Sequence, residues 1–254
     1  MPSKPHNAQP PKHRDKTLYG KNACLAFFKH NPNAIKRIFF NSDTSPAFKE
    51  VSQHCAQNKK PYRMVDNEEL AKLTKSQHHE GVAMVVRLWP MDDHETFLKK
   101  TQPSKACILA LEGIENPHNL GAMMRTAAHF GVDGILMTDA QLLQSGAALR
   151  TAEGGGSEIT PLRCNNLPEA LNDFKKFDYR VITTSSHGGK NIYKTSLPAR
   201  CIFVLGNEAR GLSQSAVDAG DLQVQIPGSG LVESLNVATA TGVMLAEYWR
   251  TQRG

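Results

Sequence analysis

The chain has 254 residues, 40% of them hydrophobic and 21% charged, with 30 Lys and Arg against 24 Asp and Glu for a formal net charge of +6. That length holds one large or two modest domains, and the composition excludes collagen-like, wholly disordered and disulfide-scaffold classes. No apolar run approaches the roughly 18 residues of a membrane helix. The opening MPSKPHNAQPPKHRDK lacks the apolar core of a secretory signal, so a cytoplasmic location is expected.

In chain order, residues 1–16 carry +3 in Pro-rich text without apolar periodicity and read as a disordered basic tail. Residues 17–88 hold 11 basic and 6 acidic groups, a sum of +5. Their patterning predicts helices over 22–30, 48–57 and 67–73, the last capped by Asn67, and strands at 38–40, 62–65 and 82–88. This is a small α/β domain. Residues 89–104, at −1, contain Pro90, Pro103 and Asp92-Asp93 and read as a linker with room for a short helix.

Residues 105–254, also at −1, predict strands at 107–112, 134–137, 180–184, 201–205 and 222–226, with helices over 119–130, 167–176 and 233–250. Strands alternating with helices imply a mostly parallel, doubly wound sheet whose ligands gather at the carboxyl ends of the strands. The last helix carries Leu235, Ala238, Gly242, Leu245 and Trp249 at spacings of three and four, a core-facing or partner-facing stripe.

The whole positive excess thus lies in the first third of the chain. That is the footprint of a polyanion binder; a surface merely kept soluble by charge is the alternative. Cys24, Cys55, Cys107, Cys164 and Cys201 form no CxxC pair, so neither a disulfide framework nor a metal site is indicated, and the three of them in apolar surroundings read as small core residues.

Three clusters carry candidate chemistry. Glu115 to Thr126, reading ENPHNLGAMMRT, follows the strand at 107–112; Pro117 breaks that strand, Asn119 is a helix cap and Arg125 lies further along the helix. A helix N-terminus at a strand's carboxyl end suits an anion, yet from spacing alone a plain connection with a surface arginine fits equally. The second cluster, GNEARGL, brackets Glu208 between Gly206 and Gly211; it is neither a Walker loop nor GxGxxG. The third, IPGSGLVESLNVATA, puts Ser234 and Asn236 at the mouth of the last helix, where both are also plausible caps. Nothing has the order of a Ser-His-Asp triad.

In this order and spacing, NPHNLGAMMRT, GNEARGL and IPGSGLVESLNVATA resemble the three signature motifs of the SpoU/TrmH family of RNA ribose 2′-O-methyltransferases, in the SPOUT superfamily. Residues 18–88, from LYGKNACLAFF to HHEGVAMVV, resemble the substrate-binding domain that precedes the catalytic domain in several members. The resemblance implies an α/β fold whose C-terminal part is tied in a trefoil knot, an exception to the rule against threaded chains. It implies S-adenosylmethionine as cofactor, contacted at Gly206, Ile226 and Leu235 with Thr184 a weaker candidate. It also implies a homodimer docked through the last helix, and ribosomal or transfer RNA as partner.

Asn119, Arg125, Glu208, Ser234 and Asn236 match the family's catalytic set. A guanidinium keeps its proton in a protein, so Arg125 is expected to orient the 2′-hydroxyl and adjoining phosphate, with the proton leaving through a phosphate, Glu208 or water. Asn119, Ser234 and Asn236 are expected to hold Arg125 and the cofactor loop. Three positions depart from the family pattern: Gly228 where Met often follows the proline, ATA for SVA after Asn236-Val237, and Glu80 where Gln is typical. None removes a polar catalytic residue. An RNA-binding protein that has lost turnover is the competing reading.

Overall fold

The computed structural model describes residues 15–88, 91–100 and 103–254. Residues 1–14 of the expected tail, and 89, 90, 101 and 102 of the expected linker, lie outside them. The first unit runs β1 (Asp15–Tyr19), α1 (Lys21–His30), β2 (Ile35–Phe40), α2 (Lys49–Gln57), β3 (Tyr62–Met64), α3 (Asn67–Thr74) and β4 (Val82–Arg87). Its sheet has the order β1-β4-β2-β3, with β4 antiparallel to both neighbours and β3 parallel to β2 at the edge.

β1 begins at Asp15, inside the stretch expected as tail. Its polar first half hid it, but Leu18 and Tyr19 are buried and Asp15 pairs with Arg87 across the ladder. The cap of α3 is Asp66 rather than Asn67: Asp66 has the extended backbone a cap needs, and its carboxylate accepts from Glu69 N at 2.7 Å.

The chain continues through β5 (Asp92–Asp93), α4 (His94–Lys99), β6 (Ala106–Leu111), α5 (Pro117–His129), β7 (Gly134–Met137), α6 (Gly146–Thr151), β8 (Thr160–Arg163), α7 (Leu167–Lys175), β9 (Arg180–Thr184), β10 (Lys190–Asn191), β11 (Arg200–Leu205), α8 (Gln214–Asp218), β12 (Leu222–Gln225) and α9 (Val237–Gln252). These strands form one parallel sheet of order β10-β12-β9-β11-β6-β7-β8-β5. Part of the expected linker is therefore sheet: β5 pairs with β8 at the edge.

Every residue of β6 is buried, and the strand's period of two divides them between two cores. Cys107, Leu109 and Leu111 face α5 and α9, which contribute Leu120, Met123, Met244, Leu245 and Tyr248. Ala106, Ile108 and Ala110 face α4 and α7, with Leu98, Leu171 and Phe174. Covering both faces is what allows an all-parallel sheet to be apolar throughout.

α9 starts at Val237, four residues later than expected, because the Gly-rich approach cannot hold a helical turn until Asn236 caps it. Its core face is Val237, Thr241, Met244, Leu245 and Tyr248. Of the expected stripe, Leu245 is buried and Gly242 faces Thr126 of α5 within the same chain, whereas Leu235 and Trp249 remain exposed. No described helix is long and apolar enough to cross a membrane.

The two units meet along α6 and the residues after it. Gly146 and Gly154 would drive a Cβ to 2.7 Å from Thr17 O and 2.8 Å from Ala26 Cβ, and Gly20 would drive one to 2.6 Å from Arg150 Cγ. Glu80 closes the seam, accepting from Arg150 Nη1 at 2.9 Å and from Lys21 N at 3.0 Å.

Candidate active site

Strand order reverses across the middle of the large sheet: from β6 the chain goes to β7 on one side and later fills β11 on the other. Such a switch point leaves a crevice at the carboxyl ends of the two strands. Leu111 and Leu205 pair there, and Glu112 N donates to Leu205 O at 2.9 Å, so the first two clusters leave the sheet side by side.

After β6 the cap of α5 is Asn116, not Asn119. Asn116 has the non-helical backbone, its side chain accepts from His118 N at 2.9 Å and Asn119 N at 3.4 Å, and Pro117 occupies the first helical position with its φ already set. Asn119 is thereby left in the first turn with its amide free to reach across the crevice. It donates to Glu208 Oε1 at 2.8 Å.

Glu208 sits in a loop closed on itself. Asn207 receives Ala209 N and Arg210 N on its side-chain oxygen and donates to Gly113 O at 2.8 Å, and Gly211 N returns to Asn207 O at 2.8 Å. A Cβ on Gly206 would lie 2.3 Å from Gly211 C. The glycine expected for its approach to a ligand is thus required first by the closure of its own loop.

The third cluster reaches the same carboxylate. β12 is separated from β11 by β9, so the segment after it must pass the end of β9 to bring Asn236 to the crevice. Asn236 uses both ends of its amide: the oxygen caps α9, accepting Ala238 N at 2.9 Å, and the nitrogen donates to Glu208 Oε1 at 2.9 Å and Asn119 Oδ1 at 3.2 Å. Val237 N also points at Glu208 Oε1, at 3.5 Å. One carboxylate oxygen therefore gathers the first turns of two helices, whose dipoles both favour a negative charge there.

Of the expected catalytic residues, Asn119, Glu208 and Asn236 form this cluster. Ser234 lies on the exposed approach to α9 and makes none of its hydrogen bonds. Arg125 is also apart from it: its Nη1 pairs with Glu153 at 3.1 Å, a partner that sequence reasoning did not identify. Glu153 follows α6, where no periodicity marks it; the only signal is the glycine run beginning at Gly154.

Of the expected cofactor positions, Thr184, Gly206 and Ile226 stand at the ends of β9, β11 and β12, and Leu235 immediately precedes the cap of α9. Thr184 Oγ1 donates to Val204 O at 2.9 Å, Ile226 packs on the core, and Leu235 is exposed. A nucleoside joined to an amino acid through a cationic sulfonium needs apolar surface for its base and approachable backbone for its polar groups. Here Leu231 is 88% exposed and Val232 71%, and a Cβ on Gly211, Gly228 or Gly230 would meet nothing within 4 Å. The residues present fit S-adenosylmethionine.

A parallel sheet with three loops joined at its switch point, and a smaller unit docked in front of it, is an α/β fold shared with solved SpoU methyltransferases. The chain belongs to the SpoU rRNA methylase family, whose profile matches residues 106–246. Residues 17–88 match the RNA 2′-O ribose methyltransferase substrate-binding profile. The chain is similar to the tRNA/rRNA methyltransferase YfiF of Escherichia coli O157:H7, described as uncharacterized, with 45% identity over 93% of this chain and 68% of that one. It is 28% identical to the 23S rRNA (guanosine-2′-O-)-methyltransferase RlmB of Pseudomonas putida, over 93% and 96% of the two chains.

Among solved structures, the SpoU methyltransferase AviRb of Streptomyces viridochromogenes in complex with AdoMet is similar in fold. Its TM-score is 0.75 at 19% identity, covering 93% of this chain and 90% of that one. The chain is an RNA methyltransferase of the S-adenosylmethionine-dependent, ribose 2′-O class.

Proposed function

We propose that this chain methylates a ribose 2′-hydroxyl of ribosomal RNA in the cytoplasm, with the small unit recruiting the RNA and the large sheet performing the transfer. The observation that carries the assignment of the site is the convergence of Asn119, Asn236 and Val237 on Glu208 Oε1. Transfer RNA is the alternative substrate.

Bound S-adenosylmethionine supplies a methyl group on a sulfonium. The chain's own task is to hold a ribose oxygen in line with that methyl and let the hydroxyl proton leave. Glu208 keeps the three loops in register, and the loops at Gly206, Ile226 and Leu235 hold the cofactor. Arg125 stays protonated and presents its N–H groups to the hydroxyl and adjoining phosphate, the proton passing to phosphate or water. The exposed backbone at Gly211, Gly228 and Gly230 supports this reading of the cofactor loops.

We further assign a trefoil knot to the chain between β11 and α9, and a homodimer docked at the exposed Leu235 and Trp249. Phe130, with its ring centroid 6.4 Å from Trp249, extends that apolar surface. Light scattering of the purified chain tests the dimer; a monomer at micromolar concentration refutes it.

The deciding experiment maps ribose methylation in total RNA from a deletion strain complemented with wild type or Arg125→Ala. Wild type is expected to restore an alkali-resistant linkage in ribosomal RNA, and Arg125→Ala to leave it cleavable while calorimetry shows undiminished cofactor binding. Restoration by the variant refutes the role of Arg125. An RNA-binding protein without turnover would restore nothing in either case.

A further inference from the structure

Arg125 stands outside the Glu208 cluster, and its orientation is governed from another direction. The Arg125–Glu153 pair spans 3.1 Å with the two side chains 60% and 44% exposed, so it is worth little as a stability device. Glu153 nevertheless occupies the left-handed region at φ +46, where an L side chain is strained, and is followed by Gly154 at φ +98. Strain retained for a half-exposed ion pair points to a use for the pair.

Its surroundings fix it from both sides. A Cβ on Gly155 would lie 2.9 Å from Arg125 Cα, and one on Gly121 would lie 2.4 Å from Thr151 Cβ, so the segment carrying Glu153 rests directly on α5. The opposite side of that segment is held by the small unit, through Glu80 to Arg150 at 2.9 Å and His30 to Glu158 at 2.8 Å. The carboxylate that meets Arg125 is thus seated on the joint between the two units.

We infer that Glu153 is a positioning residue for Arg125. It holds one edge of the guanidinium, leaving the remaining N–H groups directed at the ribose hydroxyl and phosphate of the RNA. This rests on the role proposed for Arg125. A free arginine samples many rotamers; one tethered by a carboxylate has fewer to lose when it meets the transition state.

The test measures transfer of labelled methyl to ribosomal RNA extracted from a deletion strain, giving kcat and KM for RNA, with calorimetric cofactor affinity and Tm alongside. Glu153→Gln is expected to lower kcat about 10- to 100-fold, within the range of a misplaced catalytic group, with cofactor affinity and Tm unchanged. Glu153→Asp is expected to recover part of the loss. Glu153→Gly removes the carboxylate and the backbone strain together, so it should lower kcat while holding or raising Tm, an outcome a structural role does not produce.

In a cycle with Arg125→Lys, the double variant with Glu153→Gln should be no slower than Arg125→Lys alone, because both act on one unit. Wild-type kcat in Glu153→Gln and Glu153→Gly, or losses that add in the cycle, overturns the inference. Undiminished turnover by Arg125→Ala instead refutes the role of Arg125 and is recognised separately.

Discussion

The two sheets of this molecule present function in opposite ways. The small sheet leaves its edge strand β3 exposed, with Tyr62, Arg63 and Met64 all in solvent, and it belongs to the stretch that holds the positive excess. The large sheet is covered on both faces and nearly neutral; its candidate site lies on loops that the topology gathers at one switch point. The first works by displayed side chains, so single changes there should act locally. The second works by convergence, so one change should disturb several segments together.

The largest expected effect is therefore at the point of convergence. Glu208→Ala removes the shared acceptor of Asn119, Asn236 and Val237. Hydrogen bonds to a charged group contribute about 1.5–3 kcal/mol, so cofactor affinity should fall on the order of 10- to 100-fold by calorimetry, with turnover lost. Unchanged affinity would mean that the three loops hold their register without it, and the contrast between the sheets would fail.

Two glycines then separate loop closure from ligand approach. Gly206→Ala forces a Cβ onto Gly211 backbone and should lower both Tm and cofactor affinity. Gly228→Ala enters open space and should leave Tm unchanged while weakening cofactor binding. Equal affinity in Gly228→Ala would show that the cofactor does not approach this backbone.

On the small sheet a milder and more selective response is expected. Arg63→Ala should weaken RNA binding a few fold, with kcat and cofactor affinity unchanged, and reduce the salt slope of log K by about 0.7–0.9 for the one lost phosphate contact. A fall in kcat instead would show that the small unit does more than recruit.

The smallest effect should not separate the two regions at all. Burial raises the thiols of Cys24 and Cys55 in the small unit and of Cys164 and Cys201 in the large one, Cys164 from 9.0 to about 11. Folded thiols then stay protonated where unfolded ones ionise. The Cys164 contribution is complete below pH 9.0 and is lost as pH rises through about 11, and the more strongly raised Cys24 and Cys201 carry the loss further, so chemical denaturation should find stability falling as pH rises above 9.0.

Much of the large sheet was legible because buried parallel strands are written as apolar runs: β6, β7, β9 and β11 stand close to where their text predicts them. The strands β5, β8 and β10 were missed: β5 and β10 are two residues long and exist only through a neighbour's edge, and Pro161 in β8 reads against a strand. The motif residues were legible, but their work was not. ENPHN offers two asparagines as caps, and only the position of Pro117 assigns that task to Asn116 and releases Asn119 for Glu208. Glu153 was illegible for a different reason: its partner lies 28 positions away, and its meaning resides in a backbone conformation that the residue type argues against.

The glycine seam between the units gives the enzyme a fixed reach. Gly20 lies against the stem of Arg150, Gly146 against Thr17 main chain and Gly154 against Ala26, so the small sheet and the unit that carries the switch-point crevice are packed directly on one another. An RNA engaged by both must present its target ribose at that distance, through its own folding. On the proposed division of labour the molecule would behave as a caliper, the nucleotide being selected by where the RNA's shape places it.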